Sequence, residues 1–397
     1  MRAQWPAGQL AARFAKALAA PLALAAALIG VPPAGALAAS AATCLPGPGV
    51  QPVSPGTDVN KLQGVTVLSA CDAWAVGFTS DESTSSTDRT LIEHWDGSSW
   101  TVMPSPDPGN TLNELTSVRA ISPANIWAVG FFDNGSGPRT LIVHWNGANW
   151  MRVPSPNPAD SEKLASVRFV SAKDGWAVGS FNDGTDRTLT VHWNGKTWQR
   201  VPSPNFLLNS SLTAVSVVSA RDVWAVGQAD NLITRLVTLI LHWNGTRWSR
   251  VTSPNAGIFS ALTGAAATSA TNVWAVGELV NTDHVQQTLI LHWNGTKWKR
   301  VASPNPGGPA RLNQLNAVTA SSATSARAVG TFTDPVLGQT TLILHWNGTR
   351  WTHVVTPASN LGELLAVTGT SPARSWAVGD SFEPIGQVTQ AMALHCC

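Results

Sequence analysis

The phrase TLILHWNGTKW, residues 288–298, recurs as TLILHWNGTRW at 238–248 and 341–351 and as TLIVHWNGANW at 140–150. A catalytic device is needed only once in a chain, so this repetition indicates architecture. A second phrase, WAVG, occurs six times and once as RAVG, at spacings of 53, 49, 48, 50, 53 and 49 residues. Its tryptophans are Trp74, Trp127, Trp176, Trp224, Trp274 and Trp376, and Arg327 replaces the tryptophan in the sixth copy.

Each repeat contains four short runs that predict strands. LTAVSVVS (212–219) and VWAVG (223–227) are β-branched runs bounded by polar turns, and TLILHW is a third run. Asn-Gly then predicts a tight hairpin into a fourth run, whose prolines restrict it to a sheet edge. Four antiparallel strands in about 50 residues are typical of a propeller blade. We therefore predict an all-β protein, a seven-bladed β-propeller of four-stranded antiparallel blades.

The two ends of the repeat array predict how the ring closes. The predicted blades cover 62–105, 115–157, 164–205, 212–255, 262–305, 315–357 and 364–397 within a single domain, 39–397. The seventh blade stops after its third strand, whereas VQPVSPG (50–56) is similar to the end of a fourth strand, MRVPSPN (151–157). We expect residues 45–55 to complete the seventh blade, which would remove exposed sheet edges.

The first 38 residues are interpreted as a secretory signal peptide. Three basic residues precede the apolar run ALAAPLALAAALIGV, and small residues follow at A-x-A spacing. Removal of 1–38 leaves 22 basic and 23 acidic residues, and a nearly neutral protein has no long-range field to attract nucleic acid. We expect a secreted monomer without a membrane span, with retention at the cell surface as an alternative.

The four cysteines predict disulfides in an exported chain. Cys396 replaces the third-strand tryptophan of blade seven, and Cys44 precedes the strand expected to pair with it. Cys71 lies in a turn of blade one. The first choice is a bridge from Cys44 to Cys396 or Cys397, and a bridge from Cys44 to Cys71 is the alternative.

The repeated aromatic residues are interpreted as scaffold. Eighteen of the 19 tryptophans occupy three repeat positions, which favours packing between sheets over sugar-stacking platforms. Equivalent histidines in different blades would lie too far apart for metal bonds of about 2 Å. We expect each to hydrogen-bond within its own blade, to the Ser or Asp of S-x-x-D-x-W, such as Ser171 and Asp174. The histidines are His94, His144, His192, His242, His292, His345 and His395.

Arg327 is the one large departure from this aromatic pattern. We expect its side chain to extend its charge to solvent from a weak sixth blade. A functional pocket at this position is the alternative.

Function is expected where the repeats differ. The loops FTSDESTSSTDRT (78–90), QADNLITRLVT (228–238), ELVNTDHVQQT (278–288) and TFTDPVLGQTT (331–341) share one face with the blade linkers. We name this the divergent face. The opposite, uniform face carries the similar turns SAKD and NGT. Because binding residues concentrate on loops held by a rigid scaffold, we predict a non-catalytic scaffold that binds a protein or a surface glycan at the divergent face.

No catalytic, cofactor-binding or metal-binding residue is predicted, and no cofactor is expected. No Ser–His–Asp order, phosphate-binding glycine loop or CxxC pair occurs, and the absence of tyrosine excludes a tyrosine nucleophile of sialidase type. The alternative is a secreted carbohydrate-active enzyme, hydrolase or lyase, and a lectin-like module with exposed tryptophans is a third interpretation. The enzyme would use loop carboxylates at the channel mouth, from the set Asp81, Glu82, Asp88, Asp133, Asp183, Asp186, Asp230, Glu278, Asp283 and Asp334.

The alternation of S-x-x-D-x-WAVG with LILHWNGxxW and VPSPN, over residues 45–397, resembles exported repeat proteins of actinobacteria and related soil bacteria. Those proteins are similar to kelch or galactose-oxidase-type central propellers and, more distantly, to sialidase Asp-box repeats. The resemblance implies a propeller fold. The kelch double glycine and the Asp-box spacing S-x-D-x-G-x-x-W do not occur here, so neither family's ligand residues carry over.

Overall fold

A computed structural model describes residues 51–81, 87–206, 208–231, 236–355, 361–369, 375–383 and 388–396. The chain divides between Ala42 and Thr43, and all described residues belong to the second unit. The predicted signal peptide, Cys44, Cys397 and the loop carboxylate Glu82 lie outside the described residues. Of Cys396, only the backbone is described.

The described residues form 27 strands and no helix. The first three repeats contain β1 (Val59–Ser69), β2 (Asp72–Ser80), β3 (Asp88–Trp95), β4 (Trp100–Val102), β5 (Leu112–Ser122), β6 (Asn125–Asp133), β7 (Pro138–Trp145), β8 (Trp150–Arg152), β9 (Ser161–Ser171), β10 (Asp174–Asn182), β11 (Asp186–Trp193) and β12 (Trp198–Arg200). The next two contain β13 (Ser210–Ser219), β14 (Asp222–Asp230), β15 (Leu236–Trp243), β16 (Trp248–Arg250), β17 (Phe259–Ser269), β18 (Asn272–Val280), β19 (Gln286–Trp293) and β20 (Trp298–Val301). The last two contain β21 (Asn313–Ser322), β22 (Ser325–Asp334), β23 (Gly338–Trp346), β24 (Trp351–His353), β25 (Glu363–Gly369), β26 (Ser375–Glu383) and β27 (Val388–Cys396).

These strands form antiparallel sheets that follow the sequence repeats. The second to sixth repeats each form a four-stranded sheet, and one seven-stranded sheet has the order β25-β26-β27-β1-β2-β3-β4. A single parallel pair, Val59 with Thr389, joins β27 to β1 in that sheet. Each first strand contacts the first strand of the next repeat, and β25 contacts β1. The prediction of an all-β chain of four-stranded antiparallel repeats is confirmed.

The glycine of WAVG lies where the second strand passes closest to the first. A Cβ atom on Gly179 would stand 1.9 Å from the carbonyl oxygen of Lys163. At the same level Leu164 pairs with Gly179 and Ser166 pairs with Val178, so β9 has a bulge between them. The same close approach, at 1.8–2.1 Å, occurs in the other repeats at Gly77, Gly130, Gly227, Gly277, Gly330 and Gly379.

The tryptophans pack between neighbouring repeats. The ring of Trp176 is 4.9 Å from that of Trp243 and 5.1 Å from that of Trp248, and Trp176 is only 1% exposed. In the last repeat, Trp376 makes the equivalent contact with two tryptophans of the first, at 5.4 Å and 5.1 Å. Such buried aromatic pairs supply much of the packing between sheets. Packing therefore accounts for the WAVG tryptophans.

Residues near the amino end of the described chain lie along the last strand. The Ser54 hydroxyl accepts a hydrogen bond from the Ala391 N–H at 3.1 Å, and the Asp58 carbonyl accepts one from Thr389 at 2.8 Å. Elsewhere the serine of P-S-P-N contacts the threonine that opens TLILHW, as Ser203 contacts Thr188 at 2.8 Å. Ser54 thus occupies the position of a linker serine. Residues 45–50 lie outside the described part, so closure of the seventh blade stays a prediction.

Arg327 does not extend to solvent, so that expectation is wrong. Arg327 is only 6% exposed, and in the strand register it lies opposite His345 on β23. The strand register directs this position between sheets whatever residue occupies it, as it does for tryptophan in the other repeats. Burial lowers the pKa of the Arg327 guanidinium.

Candidate functional site

The first strands of all seven repeats line a central channel. Its section toward the uniform face is a cavity of about 290 Å³ to which every first strand contributes. The fifth residue of the motif that begins LTSVR faces this section in six of the repeats, where it is Arg119, Arg168, Ser216, Ala266, Thr319 or Thr368. In the first repeat it is Thr66, which is buried and accepts a hydrogen bond from the Ala120 N–H at 3.1 Å.

Two arginines from adjacent repeats are the charged side chains of this cavity. Water reaches Arg119, while Arg168 is half-buried and donates from Nη1 to the Val167 carbonyl oxygen at 2.8 Å. The surrounding channel wall lowers the pKa of both guanidinium groups by burial. For Arg168, burial and the nearby Arg119 charge together lower the pKa to about 10. Both side chains therefore stay charged at neutral pH in a confined, water-accessible space.

At the divergent end of the channel, a charged cluster joins the first and seventh repeats. A pocket of about 440 Å³ is lined by Lys61, Gln63, Phe78, Asn316 and Leu365. The Lys61 Nζ is 2.7 Å from an oxygen of Glu363 and 3.3 Å from an oxygen of Asp380. Because one ammonium nitrogen contacts both, the two carboxylate oxygens lie within about 6 Å of each other.

The protonation of this cluster follows from burial and pairing. Burial raises the pKa of Asp380, with Glu363 adding to the effect and Lys61 opposing it. For Lys61, burial would lower the pKa, but the two carboxylates outweigh it and the pKa is raised. Nearby, burial raises the pKa of Glu114, which accepts a hydrogen bond from Gln63 at 3.2 Å.

Glu93 is a buried carboxyl in the first repeat. Glu93 is fully inaccessible to solvent. It lies on β3, at the position where other repeats have buried apolar residues such as Val191 and Leu241. Oε2 accepts a hydrogen bond from the Val53 N–H at 2.9 Å, and Oε1 has no hydrogen-bond partner among the described residues. Burial raises the pKa of Glu93 from 4.5 to about 8, although the Val53 hydrogen bond opposes the shift.

Five of the seven repeated histidines, namely His94, His144, His192, His242 and His292, contact the start of the second strand in their own repeat. His395 Nε2 has no hydrogen-bond partner among the described residues, so the expectation that each histidine bonds within its own repeat is not met there. His192 Nε2 is 2.8 Å from Asp174 Oδ1, and the same contact in the second repeat joins His144 to Asn125 at 2.9 Å. The Ser171 hydroxyl instead accepts a hydrogen bond from the Lys173 N–H in the turn. The histidine and its acidic or amide partner thus tie the third strand to the second.

Several loop carboxylates are used inside their own loops. Asp133 accepts hydrogen bonds from the N–H groups of Gly135 and Gly137. Asp334 accepts them from Val336 and Leu337. Such short-range bonds shape turns. The carboxylates that meet at the channel mouth come instead from strands, as Glu363 and Asp380 do.

Arg119, Arg168, Glu93 and Lys61 were not singled out from the sequence, because none of them is a residue that the repeats share. A signal was present, because three of them depart from the residues at the same position in other repeats. Arginine occurs at the fifth motif position only in LTSVR and LASVR, and glutamate precedes the strand histidine only in LIEHW.

The described part of the chain shows no arrangement of side chains that would bind a metal ion. There, no group of three or more His, Cys, Asp or Glu side chains is arranged to hold a metal ion. Likewise, none of the described segments forms a helix of the length and apolarity that a membrane span requires.

Cys71, in the turn between β1 and β2, is disulfide-bonded. The side chains of the other three cysteines lie outside the described residues, so the pairing stays a prediction.

Comparison with known proteins identifies the fold. No protein-family model matches the chain, and no curated protein matches it. The solved structures similar to it include YCF48 bound to D1 peptide, with a TM-score of 0.53 and 12% identity over 83% of this chain and 92% of that one. YCF48 from Cyanidioschyzon merolae gives a TM-score of 0.52 and 13% identity over 83% and 95% of the two chains.

A third similar structure is a polysaccharide lyase. The PL25 ulvan lyase bound to -[GlcA(1-4)Rha3S]- gives a TM-score of 0.53 and 8% identity, over 87% of this chain and 92% of the lyase. These neighbours are β-propeller proteins. The protein described here therefore has a repeat β-propeller fold, and identities this low carry the fold alone.

Proposed function

We propose that this protein is a non-catalytic binding propeller that holds a protein partner on its divergent face. The observation that carries the proposal is a set of exposed apolar side chains on this face. Val336 and Leu337, in the β22–β23 loop, are 87% and 43% exposed, and Phe382, near the end of β26, is 53% exposed. Large apolar side chains left exposed on one face of a folded scaffold favour a protein partner.

The loop that carries two of these residues is held in place. Asp334 caps it through two backbone N–H groups. The following strand is tied to the next repeat, since the Gly362 N–H donates to the Gln339 carbonyl oxygen at 3.1 Å. A loop ordered before binding loses less conformational entropy when a partner docks. Among similar structures, YCF48 was solved with a peptide, which is compatible with this use of the fold.

Selection from a phage-displayed random peptide library tests this proposal. We expect Val336→Asp and Phe382→Asp to weaken the selected peptides about tenfold each, because a buried charge in an apolar contact is unpaired. Met151→Asp is the matched control, since Met151 is 49% exposed on the outer strand β8. The proposal is contradicted if the selected peptides bind all three variants as tightly as the parent chain. It is also contradicted if the chain binds glycans on an array but selects no peptide.

A carbohydrate-active enzyme is the second candidate, and the Lys61–Glu363–Asp380 cluster favours it. Two carboxyl groups a few ångströms apart, one of them with a raised pKa, are the usual catalytic residues for glycosidic bond cleavage. One similar structure is a polysaccharide lyase. The cluster also has a structural explanation, because its ion pairs join β1 to β25 and β26.

A polysaccharide-degradation screen separates these two roles. If the cluster is catalytic, Asp380→Asn should reduce polymer cleavage at least a hundredfold while the chain stays folded. If the cluster only joins repeats, no polymer is cleaved and Asp380→Asn lowers the thermal midpoint alone. Asp283→Asn, in an exposed loop, is the control for loss of one carboxylate.

The same proposal includes the finer features predicted from sequence. The ring has seven blades and is closed by residues 45–55, and the chain is exported and monomeric. A disulfide from Cys44 to Cys396 or Cys397 would fasten the closure. Non-reducing peptide mapping by mass spectrometry identifies the bridge, and a Cys44–Cys71 peptide would contradict this pairing.

A further inference from the structure

The channel arginines form an unusual electrostatic arrangement. Arg119 and Arg168 come from adjacent repeats and share the cavity of about 290 Å³. Its wall otherwise consists of small apolar and hydroxyl side chains, such as Val217, Ala266 and Thr319, and the described lining contains no carboxylate. Like charges in one confined space repel, and a protein normally places a counter-charge beside arginines held in such a space.

Neither arginine has such a counter-charge among the described residues. No carboxylate contributes to the pKa of either guanidinium, and the charge acting on Arg168 is that of Arg119. Arg168 uses one nitrogen on the Val167 carbonyl oxygen, and its other donors remain available to the channel. Guanidinium groups present donors in a planar fork that matches an oxyanion.

The rest of the wall supports the same ligand chemistry. Ser216, Thr319 and Thr368 occupy the position of the arginines in other repeats and line the same cavity. Their hydroxyls can donate hydrogen bonds toward the channel. The low-dielectric wall also concentrates the field of the two positive charges within the channel. The cavity size limits the occupant to a small molecule.

We propose that the channel section around Arg119 and Arg168 is a binding site for a small oxyanion with two or more negative oxygens, of the phosphate, sulfate or polycarboxylate class. The site lies toward the uniform face. It does not depend on the proposed partner surface, which lies at the opposite end of the channel, so either inference can fail alone.

Calorimetric titration of the purified chain with inorganic phosphate, sulfate and citrate tests the site and distinguishes the three sources. We expect at least one anion to bind with a dissociation constant below about 1 mM in low salt, and to bind more weakly as chloride rises. Thermal unfolding with the same anion should show a higher midpoint, because the ligand binds the folded chain.

Variants based on the other repeats identify the residues responsible. Arg119→Thr and Arg168→Ser introduce residue types that other repeats already have at this motif position, as Thr66 and Ser216. These variants should therefore fold. Each should weaken binding at least tenfold, and the double variant should abolish it. Arg168→Lys keeps the charge and loses the planar fork, and should weaken binding severalfold.

Arg247→Ser is the control because Arg247 is exposed in the Asn-Gly turn of the fourth repeat, on the same face. It removes one positive charge and should leave affinity unchanged. The proposal is overturned if none of the three anions binds. It is also overturned if the channel variants bind as tightly as the parent chain, or if Arg247→Ser weakens binding as much as they do.

Discussion

Gly179→Ala should lower the free energy of unfolding by about 3 kcal/mol or more, or prevent folding altogether. The added Cβ would stand 1.9 Å from the Lys163 carbonyl oxygen and 2.9 Å from the Leu164 Cα. Both are backbone atoms, so no side-chain rotation relieves the overlap. The two strands would have to separate at the bulge, next to the buried core residue Val178.

Gly184→Ala is the matched control in the same repeat. Gly184 has φ of +108°, and nothing lies within 4 Å of the Cβ that alanine would add. Its cost is conformational only, about 1–2 kcal/mol. Urea unfolding of the two variants measures the difference. Equal losses at the two positions would show that close strand approach is not the reason for the glycine in WAVG.

Glu93 should make the stability of the protein fall as pH rises from 5 to 9. The folded-state pKa of about 8 lies above the ordinary value of 4.5, so the folded chain holds a proton that the unfolded chain releases. The stabilisation is complete below pH 4.5 and is lost as pH rises through 8. The loss between pH 5 and 9 amounts to up to about 4 kcal/mol.

Glu93→Gln should flatten this profile. Glutamine keeps an oxygen that can accept the Val53 N–H, and it cannot ionise. The variant should therefore differ little from the parent chain at pH 5 and be more stable at pH 9. Glu93→Leu, the residue at this position in the fourth repeat, provides a second apolar test.

Urea unfolding at pH 5, 7 and 9 measures the effect, with Asp283→Asn as the control for loss of an exposed carboxylate. If the parent chain and Glu93→Gln give parallel profiles, the buried carboxyl does not carry the pH dependence. The comparison is informative because Val53 belongs to the segment that lies along β27. A change at Glu93 thus reports on the junction between the first and last repeats.

The repeated phrases predicted the strands well because they encode local contacts. Alternation, Asn-Gly and the edge prolines act within one hairpin, so β15, β16 and their equivalents could be read directly from the letters. The tryptophans could be interpreted as scaffold because packing between neighbours must recur in every repeat. Arg327 was misjudged because its surroundings come from neighbouring sheets, which its own repeat does not describe.

The sequence by itself determined the all-β class, the four-stranded repeat and the role of the tryptophans, since each follows from patterns repeated every 48–53 residues. Only the tertiary structure decided which single departures meet. It brings Lys61 to Glu363 across 302 residues and Glu93 to Val53 across 40. It also places Arg119 and Arg168 in the same channel cavity. Burial and unpaired charge depend on distance in space, and a repeat pattern specifies only the contacts that every copy shares.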